Sequence, residues 1–363
     1  MARVLFLTDL HFGQQRLDPY QEYEHLCQLV YPQCAQLDLL LLGGDLCHSL
    51  LNLNQAAGLV VARFVSDLLQ LASEHHFYLR VLRGTYSHDY QQNRFFLYDE
   101  SSAQQWQGFP LVRVIESVTY EDLTPIGLKL LYCPDNIPTA DLTNYLNQTM
   151  QQQLVSQVDL LVSHAYYPHH LPPGMPHLPH NLIRDTELVP APRLILNGHV
   201  HTRSWRKPIL TGGSFERFQH GEEEAKGCHL LEIDSHDYRV TFLENTQTGL
   251  YLTLQLPEVT DSSYTDELLQ QFTARLQQAG DRPLYVRLLG DYEYAKAYLQ
   301  QLFPQATITT KFVATAEAQA TPVEEVIELP VLTEVNLPEM LQQQLGDALS
   351  LDTIKEVLHG TAE

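Results

Sequence analysis

Basic residues are scarce in this chain. Lys and Arg total 22 against 44 Asp and Glu in 363 residues, for a formal charge of −22. A protein so acidic cannot coat nucleic acid by general electrostatics. A polyanionic substrate stays open, because bound divalent metals put strong positive charge inside a carboxylate-lined site and a basic partner can supply backbone grip. Cysteine is also sparse. Cys27, Cys34, Cys47, Cys133 and Cys228 are scattered, odd in number and without C-x-x-C spacing. That excludes a disulfide scaffold or a structural zinc knuckle and fits a reducing cytoplasm. No apolar run approaches about 18 residues, so no membrane span is expected. The apolar opening Ala2–Leu7 is too short for a signal-peptide core. No internal repeat is visible, and the frequent Gln residues are dispersed.

What is present is an ordinary globular balance, with 44% hydrophobic and 18% charged residues, which argues against global disorder. The length suffices for one large domain and at least one smaller one. Short apolar runs alternate with helical patterns in the first half. Strands are expected at Val4–Leu7, Leu39–Leu42 and Phe77–Leu82, and helices at Pro19–Gln36 and Asn52–Ser73. Further strands are expected at Leu128–Cys133, Asp159–Ser163, Arg193–Leu196, Cys228–Asp234 and Tyr238–Leu243, with a helix at Thr139–Gln157. The β-α-β-α-β order implies a mainly parallel sheet, and the later strands add antiparallel pairing. The fold expected is α/β, a two-sheet β-sandwich flanked by helices over 1–248, with a small α+β domain over 249–312. An acidic linker (313–338) and a C-terminal helical segment (339–363) would follow; Lys355 is the only Lys or Arg from 313 onward.

Five segments carry chemistry, each where an expected strand ends, the position at which α/β sheets present ligand groups. Asp9-Leu10-His11 follows the first strand. In an extended backbone, residues two apart point the same way, so a carboxylate and an imidazole reach one cation. Gly43-Gly44-Asp45-Leu46-Cys47-His48 follows the second, where glycines permit a tight turn and Asp45 can bridge two cations or merely cap a helix. Arg83-Gly84-Thr85-Tyr86-Ser87-His88-Asp89 presents a histidine suited to acid catalysis, or else is a surface turn. Ser163-His164-Ala165 and Asn197-Gly198-His199-Val200-His201 complete the set. Imidazole and carboxylate donors without cysteine suit Mn, Fe, Zn or Mg rather than a structural zinc site.

The order D-x-H, G-G-D, G-(N)-H-D, lone His and G-H-x-H resembles the calcineurin-like metallophosphoesterases over residues 9–201. Asp9 to Gln14, His48 after Gly43-Gly44-Asp45-Leu46, and the stretch Gly213-Ser214-Phe215-Glu216-Arg217 with Gly221-Glu222 and Lys226-Gly227 are similar to SbcD-type DNA nucleases. The resemblance implies one metal held by Asp9, His11, Asp45 and His201, and another by Asp45, His164 and His199. His88 would protonate the leaving oxygen, and His48 would orient or stabilise the scissile phosphate. The implied cofactors are two divalent ions, Mn2+ first, with Mg2+, Fe2+ or Zn2+ as alternatives. The implied partners are DNA as substrate and an SbcC-like coiled-coil ATPase, with a homodimer allowed and no membrane. One departure stands out. Where the family has Asn directly before the catalytic His, this chain has Ser87, which leaves Ser87, Thr85 or water to serve the second metal.

Two other groups are ambiguous. His169, His170, His177 and His180 lie in or beside the Pro-rich loop Pro168–Pro179, either a lid or an extra metal site. Trp106 and Trp205 either stack on bases or pack. Within enzymes the competing expectation is a phosphomonoesterase on the same frame; outside them, a catalytically weak scaffold that binds DNA ends.

Overall fold

The computed structural model describes residues 1–97, 103–172, 179–256, 262–290 and 293–311. The linker and C-terminal helices expected over 313–363 lie outside the described residues. In chain order the strands are β1 (Ala2–Leu7), β2 (Leu39–Leu42), β3 (Tyr78–Leu82), β4 (Gln105–Trp106), β5 (Phe109–Pro110), β6 (Val112–Ile115), β7 (Thr119–Leu123), β8 (Leu128–Cys133) and β9 (Leu160–His164). They continue with β10 (Leu194–Gly198), β11 (Ser204–Arg206), β12 (Ile209–Thr211), β13 (Gly227–Ile233), β14 (Tyr238–Glu244), β15 (Leu250–Gln255), β16 (Leu284–Leu289) and β17 (Thr307–Lys311). The helices are α1 (Pro19–Leu29), α2 (Tyr31–Cys34), α3 (Ala56–His75), α4 (Tyr86–Asp89), α5 (Leu142–Gln152), α6 (Ser262–Gln277) and α7 (Glu293–Leu302).

Two six-stranded sheets face each other, ordered β14-β13-β1-β2-β3-β6 and β11-β12-β10-β9-β8-β7. Alternation along each strand assigns its side chains to layers. Leu5, Leu7, Leu40, Leu42, Leu79 and Val81 point away from the second sheet, into a core shared with Leu26, Val30, Phe64 and Leu68 of the helices. Val4, Phe6, Leu39, Leu41 and Tyr78 point the other way, into a core shared with Leu130, Tyr132, Val162 and Leu196. Leu131, Leu161 and Ile195 on the far face of the second sheet pack on Leu142, Leu146 and Met150 of α5. The result is the expected two-sheet sandwich with helices outside it. Within the helical layer α3 has a mean hydropathy of 1.4 and is long enough to cross a bilayer. Its Val60, Phe64, Leu68 and Ala72 are packed in the first core instead.

A three-stranded parallel sheet, β15-β16-β17, follows. Leu252, Leu254, Val286 and Leu288 cover one of its faces together with Leu269, Phe272, Leu276 and Leu299 of α6 and α7.

Local differences from expectation have identifiable causes. The helix expected over Pro19–Gln36 is interrupted at Val30, and a short turn restarts with Pro32, which has no amide hydrogen to continue the ladder. The helix expected from Thr139 begins at Leu142, because Asp141 caps it by accepting from the Asn144 amide at 3.0 Å.

Candidate metal centre

The first two sequence motifs are joined by a parallel backbone zipper that runs past the ends of β1 and β2. Asp9 N–H donates to Gly44 O, His11 N–H to Asp45 O and Phe12 N–H to Leu46 O, each at 3.0 Å. The extended geometry expected for Asp9-Leu10-His11 is not what brings its side chains together. Asp9 and His11 have φ of 52° and 53°, Asp45 has 51° and His199 has 75°. Four non-glycine residues in the left-handed region of one site are costly, at about 1–3 kcal/mol each, and persist only where surrounding structure over-determines them. Asp89 supplies part of that determination. Its buried carboxylate accepts from the amides of Gly84 (2.7 Å), Asp45 (3.2 Å) and Cys47 (3.2 Å). Burial first, and the Asp45 charge second, push this carboxyl up to about 7. Glycine is required at 84 because a Cβ there would stand 2.1 Å from Asp45 N.

All eight expected site residues converge. Donor atoms of Asp9, His11 and His201 form one group within 4.8 Å, and those of Asp45, His164 and His199 form a second. Asp45 Oδ2 joins them, 3.6 Å from His11 Nε2 and 3.2 Å from His164 Nε2. His88 and His48 flank the first group. Their rings lie 5.4 Å apart, and those of His88 and His11 lie 4.7 Å apart.

Backbone and side-chain acceptors fix which ring nitrogen faces inward. His164 Nδ1 donates to Gly43 O at 2.9 Å and His88 Nδ1 to His48 O at 2.6 Å, leaving both Nε2 atoms toward the site. His11 Nε2 and His201 Nε2 approach to 3.0 Å. Asp9 is fully buried and accepts from the His199 amide at 3.0 Å and from Thr8 Oγ1 at 2.7 Å. Burial is the main force pushing its carboxyl up. Burial opposes ionisation of Asp45 as well, yet the adjoining His164 outweighs it and holds that carboxyl down. In turn Asp45 overcomes the burial of His164 and pushes its imidazole up to about 10. His199 lacks so close a carboxylate, and burial carries it down to about 3. Burial likewise lowers His48, with His88 adding to it.

Thr85, not Ser87, reaches the second group. Ser87 is solvent-exposed on the short helix α4. The Thr85 hydroxyl lies 3.3 Å from Asp45 Oδ2, 3.4 Å from His164 Nε2 and 3.4 Å from His199 Nδ1.

The family described as calcineurin-like phosphoesterase matches residues 2–203 of the chain. The protein belongs to this family. Membership makes it a metal-dependent hydrolase of phosphoesters, and the donor set fits. Two carboxylates with little or no solvent contact and four imidazoles, free of cysteine, suit divalent ions such as Mn, Fe, Zn or Mg. A cation also relieves the cost of burying two anions side by side. No curated protein matches this phosphoesterase. Among solved structures, one crystal structure aligns over 66% of the chain and 98% of its own length, at 11% identity and a TM-score of 0.36. A single-residue mutant of Vps29 from Entamoeba histolytica aligns over 67% and 98%, at 13% identity and a TM-score of 0.28.

The other sequence candidates join no donor group among the described residues or lie outside those residues. His170 is tied down structurally, accepting from the Tyr167 amide at 3.2 Å and meeting Thr211 Oγ1 at 2.9 Å. The His169 ring packs against it, tilted by 55°, with centroids 4.1 Å apart. His177 lies outside the described residues, and His180 is in no described metal group. Trp106 packs on His76 at 4.2 Å, whereas Trp205 is 42% exposed and stacks on Tyr238. The five cysteines are free.

Proposed function

We propose that this phosphoesterase is a DNA nuclease of the SbcD type, cleaving phosphodiester bonds with Mn2+ at two positions. The observation that carries this reading is the histidine pair at the rim. His48 and His88 stack beside His11 and add two imidazoles beyond those of the two ligand groups. Many phosphatases of this family carry Asp where His48 stands. The Gly213–Gly227 stretch, similar to SbcD-type enzymes, supports the same reading.

Asp9, His11, Asp45 and His201 would hold one cation and Asp45, His164 and His199 the other, with the Thr85 hydroxyl beside the second. When bound, the cations supply Lewis acidity to the phosphate and activation of water. The remaining work falls to protein groups. His88 has its Nδ1 hydrogen committed to His48 O, so Nε2 is the atom that passes a proton to the departing sugar oxygen, a step typically worth about 10²–10⁴ in rate. His48, whose charged form is disfavoured by burial and by His88, donates a hydrogen bond to a non-bridging oxygen as charge builds there.

The small domain over 249–312 would steer duplex ends, and the segment 339–363 would dock an SbcC-like ATPase. The setting proposed is the cytoplasm, where unpaired thiols stay reduced.

The test is incubation with labelled duplex and single-stranded DNA in Mn2+ or Mg2+, with and without the ATPase, beside nitrophenyl phosphate. Metal-dependent DNA cleavage is expected. Hydrolysis of nitrophenyl phosphate with intact DNA would identify a phosphomonoesterase instead, and retention of DNA ends without cleavage a scaffold.

A further inference from the structure

The stretch Ser214–Lys226 runs along the metal centre, and most of its polar side chains are engaged. Glu216 meets His25 Nδ1 at 2.6 Å and accepts from Asn245 Nδ2 at 2.7 Å. Arg217 donates to Gly249 O and Glu224 O. Phe218 places its ring against His11 and His201, at 5.3 and 5.5 Å. One residue of the stretch touches a ligand candidate through its side-chain carboxylate: Glu222, whose Oε1 is 3.4 Å from His201 Nδ1.

We infer that Glu222, braced by Lys226, is the positioning residue for His201. It fixes the tautomer that aims the Nε2 lone pair at the Asp9–His11–His201 group. The inference rests on the metal-site reading above. An ionised carboxylate only accepts, so the hydrogen of this imidazole sits on Nδ1 and the lone pair on Nε2. Nε2 is the atom 3.0 Å from His11 Nε2 and 3.9 Å from Asp9 Oδ1. A metal-bound His generally donates its other ring hydrogen to a carboxylate or carbonyl that sets its orientation. Gly43 O does this for His164; Glu222 does it for His201.

The need is greater at His201 than at His11 or His164. Its side chain is 30% exposed, against 2% for His11 and 0% for His164. The core therefore does not hold this ring, and a polar anchor must. Glu222 is itself 4% exposed and pinned at its other oxygen, where Oε2 accepts from Lys226 Nζ at 3.0 Å and from the Phe218 amide at 3.2 Å. Lys226, 1% exposed, donates also to His201 O at 2.9 Å and to Glu224 Oε1 at 2.7 Å. One buried ammonium thus secures both the main chain of His201 and the carboxylate that holds its ring. Simple strap-fastening does not require Oε1 to face the imidazole; positioning does.

The experiment is Mn2+ titration of the full chain by calorimetry, with thermal melting of the metal-free protein alongside. Wild type should bind two ions. Glu222→Ala should weaken one of them by about 10–100-fold and leave the other. Glu222→Gln, which still offers an oxygen to Nδ1–H, should recover most of that loss. Glu223→Gln serves as control, since that neighbour pairs with Arg275 on the small domain; it should bind Mn2+ like wild type. Wild-type affinities in both Glu222 variants would overturn the inference, as would a lowered melting temperature with unchanged affinities. Absence of Mn2+ binding by wild type would overturn the metal-site reading itself, and the inference with it.

Discussion

The hydroxyl of Thr85 lies 3.4 Å from Nε2 of His164 and makes no capping bond to the helix that Thr85 precedes. It stands beside all three members of the Asp45–His164–His199 donor group. A hydroxyl is a weaker neutral donor, so the second position should hold its ion more loosely than the first. Thr85→Asn is expected to tighten that ion, and Thr85→Val to loosen it by at least about tenfold. Mn2+ titration decides, and equal affinities in the three proteins would remove Thr85 from the site.

His88 is braced by a backbone carbonyl and not by a ligand side chain. His88→Asn should therefore leave two ions bound and lower turnover by about 10²–10⁴. Single-turnover cleavage of labelled DNA, paired with metal analysis, checks both halves. Retained turnover would end the acid assignment.

Gly84 packs against Asp45 with no room for a side chain, its virtual Cβ standing 2.2 Å from Asp45 Oδ1. Gly84→Ala must push apart the turn and the Asp45 carboxylate. Expected are a destabilisation of about 1–3 kcal/mol and loss of both ions together. Loss of stability with normal metal binding would show that the turn can relax without moving Asp45.

A second buried carboxylate pair lies under α1. Glu22 Oε1 and Glu216 Oε2 have no hydrogen-bond partner among the described residues. Burial, and after it the Glu216 charge, push Glu22 well above its ordinary 4.5. Below that value folded and unfolded chains both carry the proton, and no stability difference arises. As pH rises further the unfolded chain ionises first, and stability falls by about 1.4 kcal/mol per pH unit until the folded group ionises too. Glu22→Gln should therefore raise the melting temperature at pH 7.5 and leave it nearly unchanged at pH 4.5. An equal shift at both would exclude titration as the cause.

Much of this architecture is legible in sequence. Leu39–Leu42 and Leu128–Cys133 are strands over their full expected lengths, because their side chains are buried on both faces. Short strands such as Val112–Ile115 and Ile209–Thr211 escape notice, since three or four residues give no period and their pairing is set by neighbours distant in sequence. At the site, residue types and order single out the donors. The sequence leaves Ser87, Thr85 or water open beside the second donor group; the short helix α4 carries Ser87 to solvent and leaves Thr85 next to Asp45, His164 and His199. The left-handed backbone at Asp9, His11, Asp45 and His199 has no sequence signature, and neither does the Asp89 carboxylate that gathers three amides. Glu222 and Lys226 stand in a legible stretch, yet only their distances to His201 give them a role.

Asp45 Oδ2 stands between the two donor groups, 3.6 Å from His11 Nε2 and 3.2 Å from His164 Nε2. Counting Mn2+ bound at equilibrium per chain, in wild type and in Asp45→Asn, decides whether this carboxylate serves two cations. Two ions are expected in wild type, with loss or marked weakening of both in the variant. Two ions held with unchanged affinity by Asp45→Asn, or none held by wild type, would contradict that role.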